Sequence, residues 1–583
     1  LSVLGNVVYD YTIQPGLTED LVYRVCINPF SALFLLTLVI VGSTAVIYSL
    51  EYIIYHHMTE DPQHYWLYLS VLILTTTMVF LSDNFISFIF FVDLSVIMST
   101  FLIAYDRTNL RARRAARLYL LMSIFGSALV LLTYMMLYIE SGQLSFDGLR
   151  KYFNTHTLDE GILLPVIMFG LIGFFIKSGM APFHTWLPRT HSEAPTPISA
   201  ILSGLMVNIG VYGIVTTYFH ILQYHDMIYL ILFIIGLVST LYGAVIATAQ
   251  DDIKRLIAYS TISQIGYVVL ALGMASYLLS YNKPGYIELG MLVHTAALLF
   301  LLNHSIGKSL LFFTAGNIIS HLGVRDLSKM GGLVRSQPSL YSTAIMSSII
   351  LIGLPPSIGF LAKTIIHLAI LGSGPVLIYD LSIATLASIL TAVYMIRFIY
   401  KAFIHETSHI KYHKIVSRHT EGFPATMIIP LYILGFTSII PGVFTWIINP
   451  VIESIVHSMP AIYHCSILGY LYYSPLVVLI KFPENLVKIS IIEEAAMVIF
   501  SLVLIPFTTM LGHSIWIHIE KISYRVHGII DKLYHEYFIR KTYYFLENLL
   551  MRIEELEDSH PITLLVSLSL LMIILVMLLN SVS

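Results

Sequence analysis

The chain has 583 residues, of which 57% are hydrophobic and only 11% charged, with a net charge of −3 and a mean hydropathy of +0.82. A soluble domain carries about 25% charged residues, and long soluble chains split into domains with polar exteriors, so a soluble globular protein is excluded. No basic patch with interleaved aromatics points to nucleic acid, and two cysteines, Cys26 and Cys465, are too few for a disulfide framework or an iron–sulfur site.

A spanning helix needs roughly 20 apolar residues. Fourteen such runs follow one another, near 30–50, 66–82, 85–105, 116–138, 163–181, 196–221, 227–249, 256–280, 288–319, 341–370, 376–403, 425–448, 491–511 and 562–580. The stretch 465–480 contains Pro475 and reads as interfacial. Backbone groups in lipid must be satisfied within their own segment, and these runs are too long and continuously apolar for barrel strands. The fold class is therefore an all-α polytopic membrane protein. Loops after odd-numbered segments hold sixteen Lys and Arg, from Arg107 to Arg418, against six on the other side. By the positive-inside rule this supports the segmentation and an outer N-terminus. No signal-peptide pattern is visible before the first run. Residues 512–561 read as an amphipathic connection, covering the protein's own surface or lying on the membrane or a partner subunit, before a final transmembrane helix in 562–583.

A charge at mid-bilayer costs about 2.5–3.5 kcal/mol on insertion scales, so it is rarely idle. Asp93 sits centrally in FISFIFFVDLSVIMSTFLIAY, Lys177 near the end of LLPVIMFGLIGFFIKSGMAPF, and Lys308 deep in MLVHTAALLFLLNHSIGKSLLFFTAG. His304 lies one turn before Lys308 on the same face. Lys363 follows a broken stretch, SSIILIGLPPSIGFLAKTIIHL. The bland reading is that each snorkels or pairs only to hold helices together. The functional reading is a row of proton or ion stations. At about 4 Å and an effective dielectric near 20, one charge pair is worth roughly 4 kcal/mol, or about three decades of proton affinity. Moving Asp93 towards or away from Lys177 would thus switch that lysine between binding and release. Asn208, Ser203, Ser263, Gln264, His294 and Asn303 are candidates for holding bridging waters, and His367 is a weaker one.

Two interruptions, IKSGMAPFH with Pro182 and LPPSIGFLAK with Pro355, Pro356 and Gly359, each combine Pro, Gly and a lysine. Such breaks free carbonyls that line polar cavities. They fall five segments apart, and an odd offset reverses direction. This points to inverted repeats of five helices with the transport site at mid-membrane.

The blocks PFHTWLPRTHSEAPTPISAILSGLMVNIGVYGIV (182–215) and QDDIKRLIAYSTISQIGYVVLALG (250–273) carry a resemblance, continued by HSIGKSLLFFTAGNI, LSKMGGL and GLPPSIGFLAK. They resemble the antiporter-like subunits of respiratory complex I, Mrp-type cation/proton antiporters and membrane-bound hydrogenases, and are closest in wording to the last two. The match covers 28–405, with the remainder matching in hydropathy only. It implies paired half-channels in two inverted repeats. The organisation expected is a loop over 1–28 after an absent first helix, N-terminal helices over 29–115, and first-repeat helices over 116–280, with that repeat beginning near 85. Second-repeat helices follow over 281–448, and additional helices over 449–511. The resemblance also implies that Asp93 stands for the family's glutamate, Lys177 for its partner, His304 and Lys308 for the central pair, and Lys363 for the outlet lysine. Three positions depart: Asp93 is a methylene shorter than glutamate, Asn208 replaces a lysine of many relatives, and Phe300 replaces a second histidine of some.

The function these readings imply is a proton- or Na⁺-translocating subunit of a redox-driven complex. No nucleotide fingerprint follows a strand, so this chain is expected to hold no cofactor. Any iron–sulfur, flavin, quinone or NiFe centres would belong to partner subunits. Those partners would be other membrane subunits, including paralogous antiporter-like ones, with lipid around them. The alternatives are a subunit of a Mrp-type Na⁺/H⁺ antiporter, or of an ion-driven bicarbonate-uptake complex with a soluble zinc protein. A passive scaffold is the bland option.

Overall fold

The computed structural model describes residues 11–13, 23–25, 27–56, 62–222, 226–281, 283–372, 378–405, 423–444 and 447. The chain divides into two compact units, Leu1–Gly512 and His513–Ser583, and the second lies outside the described residues. So do the expected runs at 491–511 and 562–580, the 465–480 stretch and the amphipathic connection.

Apart from two three-residue antiparallel strands, Tyr11–Ile13 and Tyr23–Val25, the described chain is helical. Its helices are α1 (Pro29–Tyr55), α2 (Pro62–Leu81), α3 (Phe85–Ile103), α4 (Leu110–Ser141), α5 (Phe146–Phe153), α6 (Glu160–Ser178) and α7 (Trp186–Glu193). Next come α8 (Thr196–Ile201) and α9 (Val207–Ile214), joined by the π-helical turn Leu202–Met206 and continued by a second, Val215–Ile221. The remainder are α10 (Asp226–Ala249), α11 (Ile253–Ser280), α12 (Pro284–Leu322), α13 (Leu333–Ser336), α14 (Pro338–Ile352), α15 (Ile358–Gly372), α16 (Ile378–Ile399) and α17 (Ala425–Val443). Eleven described helices, counting Thr196–Ile221 as one, are long and apolar enough to cross a membrane. Each of the first twelve expected segments falls on such a helix or, at 341–370, on the shorter pair α14 and α15.

Helix ends follow local chemistry. Asn28, Asn84, Asn109 and Asp252 cap α1, α3, α4 and α11 by accepting from free backbone N–H groups. Gly142, Gly179, Gly323 and Gly353 end α4, α6, α12 and α14 with positive φ, a conformation that side-chain-bearing residues resist.

The two interruptions share one backbone design. Gly179 (φ 67) is followed by Met180, whose N–H bonds the Phe175 carbonyl at 2.9 Å, and then by a cis Ala181–Pro182 bond. Gly353 (φ 77) is followed by Leu354, whose N–H bonds the Ile349 carbonyl at 2.9 Å, and then by a cis Pro355–Pro356 bond. Each glycine turns the chain out of its helix three residues before the cis proline. After the first break α7 is short and tucks back; after the second α15 carries Lys363 into the bundle.

The cation-rich loops meet at one end. Arg325 lies 3.0 Å from Asp252 and 3.7 Å from Glu193, and Asp251 holds Arg397 at 2.6 Å and Lys401 at 3.5 Å. At the other end the α2–α3 turn pairs with the α4–α5 turn through Asn84 and Ser145. The helical stretches Thr196–Ile221 and Ile253–Ser280 are buried over nearly their whole length, so α8, α9 and α11 form the centre. Leu67, Leu74, Phe90 and Ile139 leave apolar faces of the peripheral α2, α3 and α4 exposed, as expected of surface that meets lipid.

The glycine positions give a graded test. An Ala at Gly142 meets open space and carries only the left-handed backbone cost, about 1–2 kcal/mol. At Gly353 a Cβ would also meet the Lys363 Cδ at 3.0 Å. Unfolding in detergent is expected to rank Gly353→Ala as more destabilising than Gly142→Ala; equal losses would remove this break from the stability-determining features.

Candidate functional site

The first station is built by a close helix crossing. Gly126 of α4 and Gly173 of α6 face each other so tightly that a Cβ on Gly173 would sit 2.7 Å from the Gly126 carbonyl, the small-residue contact that lets membrane helices approach. One residue further on, Ser127 reaches Lys177, whose ammonium donates to the Ser127 hydroxyl at 2.5 Å and to the Ser123 carbonyl at 3.0 Å. The Ser127 hydroxyl in turn donates to the Asp93 carboxylate in a very short hydrogen bond. Asp93 and Lys177 are 3.8 Å apart. The expected acid–lysine pair therefore exists, with a serine wedged between the partners. Lys177 is buried, while the Asp93 side chain on α3 keeps 35% of its exposure.

From Lys177 the polar groups pass inward. Ser178 packs on Gly210 of α9. Asn208, two residues away, donates to the Gly204 carbonyl at 2.9 Å and to the Ser305 hydroxyl of α12 at 2.8 Å. The Gly204 acceptor lies in a π-helical turn, a feature frequent at functional sites. Ser203 in the same turn shares a 2.9 Å hydrogen bond with Thr261 of α11.

Ser305 belongs to the helical stretch that carries the central pair. Lys308 is fully buried. It donates to the Ser260 hydroxyl in a very short hydrogen bond and lies 3.4 Å from the Ile257 carbonyl. His304 is also fully buried, and among the described residues neither ring nitrogen makes a hydrogen bond of good geometry, the Ser203 backbone being its nearby polar partner. An imidazole left so in a dry site forfeits about 1–3 kcal/mol for each unpaired group, which makes water its natural neighbour.

One turn along α11 from Ser260, Gln264 reaches the Thr391 hydroxyl and the Leu351 carbonyl, both at 3.4 Å. One turn back along α16, Ser388 accepts from Lys363 at 3.0 Å. Lys363 also donates to the Ile352 carbonyl at 2.8 Å, a group freed by the helix break, and stands 5.5 Å from the ring centres of Tyr267 and Phe300. Phe300 thus offers the lysine a ring face.

Asn303 is a structural clamp. Its amide donates to the Ile350 carbonyl at 2.9 Å, and its oxygen accepts from the Gly359 N–H at 3.0 Å and the Ser438 hydroxyl at 2.9 Å. It bridges both sides of the second break. Trp186 serves the first, donating to the Ile176 carbonyl at 2.9 Å. Besides Ser203 and the clamp Asn303, three further candidates stand off this line. Ser263 is buried where α11 packs on Gly243 of α10. His294 is buried against Phe219, with ring centres 5.2 Å apart, about 16 Å along α12 from Ser305. His367 lies 3.3 Å from the Tyr267 hydroxyl.

The residues missing from the sequence reading are the hydroxyls that hold the lysines: Ser127, Ser260 and Ser388. Ser123 and Ser127, one turn apart with Gly126 between them in an apolar run, carried a signal that a polar helix face was present. Nothing local marked Ser388.

The fold and these buried stations define a class, multi-pass membrane proteins with interrupted helices and ionisable side chains in their interior. The chain belongs to the NADH:quinone oxidoreductase/Mrp antiporter transmembrane family, whose model matches residues 82–391. It is 33% identical to Hydrogenase-4 component B of Escherichia coli over 59% of this chain and 50% of that protein. It is 29% identical to a Na⁺/H⁺ antiporter subunit of Alkalihalophilus pseudofirmus over 80% of this chain and 59% of that protein. The chain thus spans about half the length of the curated relatives it matches. The Mrp complex from Dietzia sp. DQ12-45-1b shares the fold, with a TM-score of 0.65 over 79% of this chain and 89% of that chain at 20% identity.

Asn303→Ala would leave the Gly359 N–H and the Ile350 carbonyl unpaired, at a cost of about 2–4 kcal/mol. Hydrogen exchange is expected to quicken at 350–360 while the Lys177 region keeps its protection. Unchanged exchange across the break would show that Asn303 does not hold it.

Proposed function

We propose that this chain translocates protons, or Na⁺ in their place, along the buried polar line from Asp93 to Lys363, as a membrane subunit of a larger energy-converting complex. The observation that carries the reading is the order of that line. Asp93, Ser127 and Lys177 lead through Ser178, Gly210, Asn208 and Ser305 to His304 and Lys308. From there Ser260, Gln264, Thr391 and Ser388 lead to Lys363. From Asp93 to Lys177, and from Asn208 through Ser305, Lys308, Ser260, Gln264, Thr391 and Ser388 to Lys363, successive groups are hydrogen-bonded or about one helical turn apart, 5–6 Å. Between Lys177 and Asn208 the helices meet only through the packing of Ser178 on Gly210, and that step would need water.

Each residue has a role in this reading. Asp93 is the adjustable charge. When Ser127 links it to Lys177, the pair favours a protonated lysine. When the carboxylate swings to its exposed edge, Lys177 is left buried without a counter-charge and gives up its proton. Lys308 and His304 form the middle station, able to accept that proton through water. Lys363, beside the freed carbonyl of Ile352, is the outlet station. Asn208 does not titrate and acts as a positioning residue, aiming the Ser305 hydroxyl. The similar breaks at Gly179 and Gly353 support two inverted repeats, each contributing one half of the path.

The exposure of Asp93 favours a neighbouring membrane subunit whose movement or charge works the switch; paralogous antiporter-like subunits fit that place. With only two cysteines in the chain, iron–sulfur or NiFe centres fall to partner subunits, and flavin or quinone sites are assigned there as well because no nucleotide fingerprint follows a strand. A second reading, a Mrp-type Na⁺/H⁺ antiporter subunit working without electron transfer, draws on the fold shared with the Dietzia complex and uses the same residues. Co-purifying iron–sulfur proteins would favour the redox complex, and small membrane subunits alone the antiporter.

In vesicles holding the intact complex, Lys308→Met is expected to reduce coupled ion movement to the level of empty vesicles. Asp93→Asn is expected to slow it by about tenfold, which is ~1.4 kcal/mol of barrier. Wild-type coupling in Lys308→Met would leave the chain a passive scaffold.

A further inference from the structure

One cavity lies away from the polar line, at the cation-rich end of the bundle. It encloses about 920 Å³ between the α3–α4 turn, the starts of α2 and α11, and the α7–α8 junction. Its lining includes the exposed Arg107 and Arg113 and the buried Lys254. Tyr68 and Phe101, also on the lining, stack with ring centres 5.1 Å apart. Of the two carboxylates on the lining, one is ion-paired and the other is held by neutral donors that do not cancel its charge. Glu193 pairs with Arg325 at 3.7 Å, and Asp106 accepts from the Thr108 backbone N–H and hydroxyl at 3.0 and 2.6 Å.

The charge around the mouth runs against the local field. Arg111, Arg113, Arg114 and Arg117 all stand exposed in the first turns of α4, with Arg107 just before them. A helix N-terminus carries partial positive charge and disfavours cations beside it. Arg107, Arg111, Arg113 and Arg114 make no ion pair among the described residues. A cluster that opposes both its neighbours and its own helix dipole becomes favourable once an anion sits among them. The apolar part of the lining indicates where that anion comes from. Phe101 is 48% exposed, and Leu67 and Leu110, on the first turns of α2 and at the start of α4, are 56% and 60% exposed, an apolar surface near the mouth of the kind that suits lipid.

We propose that this cavity binds the phosphate headgroup of an anionic phospholipid from the leaflet on the cation-rich side. Arg107 and Arg113 hold the phosphate, and Tyr68 and Phe101 line the glycerol and the first acyl carbons. Basic pockets between transmembrane helices on this side suit such headgroups. The bound lipid would fasten the α3–α4 turn, and with it the end of the helix that carries Asp93. Neither arginine belongs to the translocation line, so the proposal stands or falls separately from the function proposed above.

The test is native mass spectrometry of the purified full chain or its complex in neutral detergent, titrated with phosphatidylglycerol, phosphatidylcholine or inorganic phosphate. Arg107→Gln with Arg113→Gln is expected to weaken phosphatidylglycerol binding by about 30-fold, from roughly 1 kcal/mol per arginine. Arg111→Gln with Arg114→Gln, an equal charge loss outside the cavity, is expected to change it by less than about threefold on the same scale. Arg107→Lys with Arg113→Lys should keep most of the affinity, and thermal melting in phosphatidylcholine checks that every variant folds. Four results would each overturn the proposal. They are equal loss in both glutamine pairs, phosphatidylcholine binding as tightly as phosphatidylglycerol, and inorganic phosphate binding as well as the lipid. The fourth is Arg107→Cys shielded from a thiol reagent in the delipidated complex as fully as in the lipid-replete one, which would assign the surface to a partner subunit.

Discussion

A cation inside a bundle of apolar helices must find oxygen there, because no bulk water reaches it. That constraint shapes the interior of this protein. Lys177, Lys308 and Lys363 each end on a serine hydroxyl and a main-chain carbonyl: Ser127 and Ser123, Ser260 and Ile257, Ser388 and Ile352. Helix carbonyls are normally consumed by their own ladder. The chain overcomes this by sharing a carbonyl with a lysine or by breaking the helix so that a carbonyl is released. The Ile352 carbonyl is of the second kind, and its release depends on Gly353 leaving the helix with positive φ.

The breaks therefore do two things with one backbone turn. They stop a spanning helix in the middle of the bundle, and they expose polar groups that Trp186, Asn303 and Lys363 then occupy. Without Asn303 bridging Ile350 and Gly359, the second turn would hold its polar atoms in an apolar environment. The glycine seam of α4 and α6 is a further consequence of the same demand, since only close approach at Gly126 and Gly173 lets a side chain as short as serine reach Lys177.

Membership of the NADH:quinone oxidoreductase/Mrp antiporter family fits this architecture. The three positions at which the sequence departs from the pattern the resemblance implies also have physical surroundings in the fold. Asp93 is shorter than glutamate, and Ser127 fills the distance. Asn208 replaces a charge with an amide whose two donors are both used, on Gly204 and Ser305. Phe300 gives Lys363 an aromatic face. Asn208 and Phe300 each offer a polar or cation-attracting surface without adding a charge to desolvate.

Much of the fold was legible in the chain itself. The apolar runs placed the helices because a bilayer accepts little else at that length, and the breaks at IKSGMAPFH and LPPSIGFLAK showed through their Pro and Gly because helix interruption is a local event. Asp93, Lys177, Lys308 and Lys363 stood out for a thermodynamic reason, the cost of a charge in lipid. The serines that hold those lysines did not stand out. A hydroxyl in a membrane helix can satisfy itself on the carbonyl one turn back, as Ser99 and Thr133 do, so its presence says nothing about a partner. Only the packing of α3, α4 and α6, and of α11, α12, α15 and α16, decided which serine meets which lysine. The cavity beside Arg107 was likewise settled in three dimensions, because its walls come from segments far apart in the chain. Sequence alone determined where charge is costly; tertiary structure chose the neighbours that offset the cost, since those contacts join residues that no local interaction brings together.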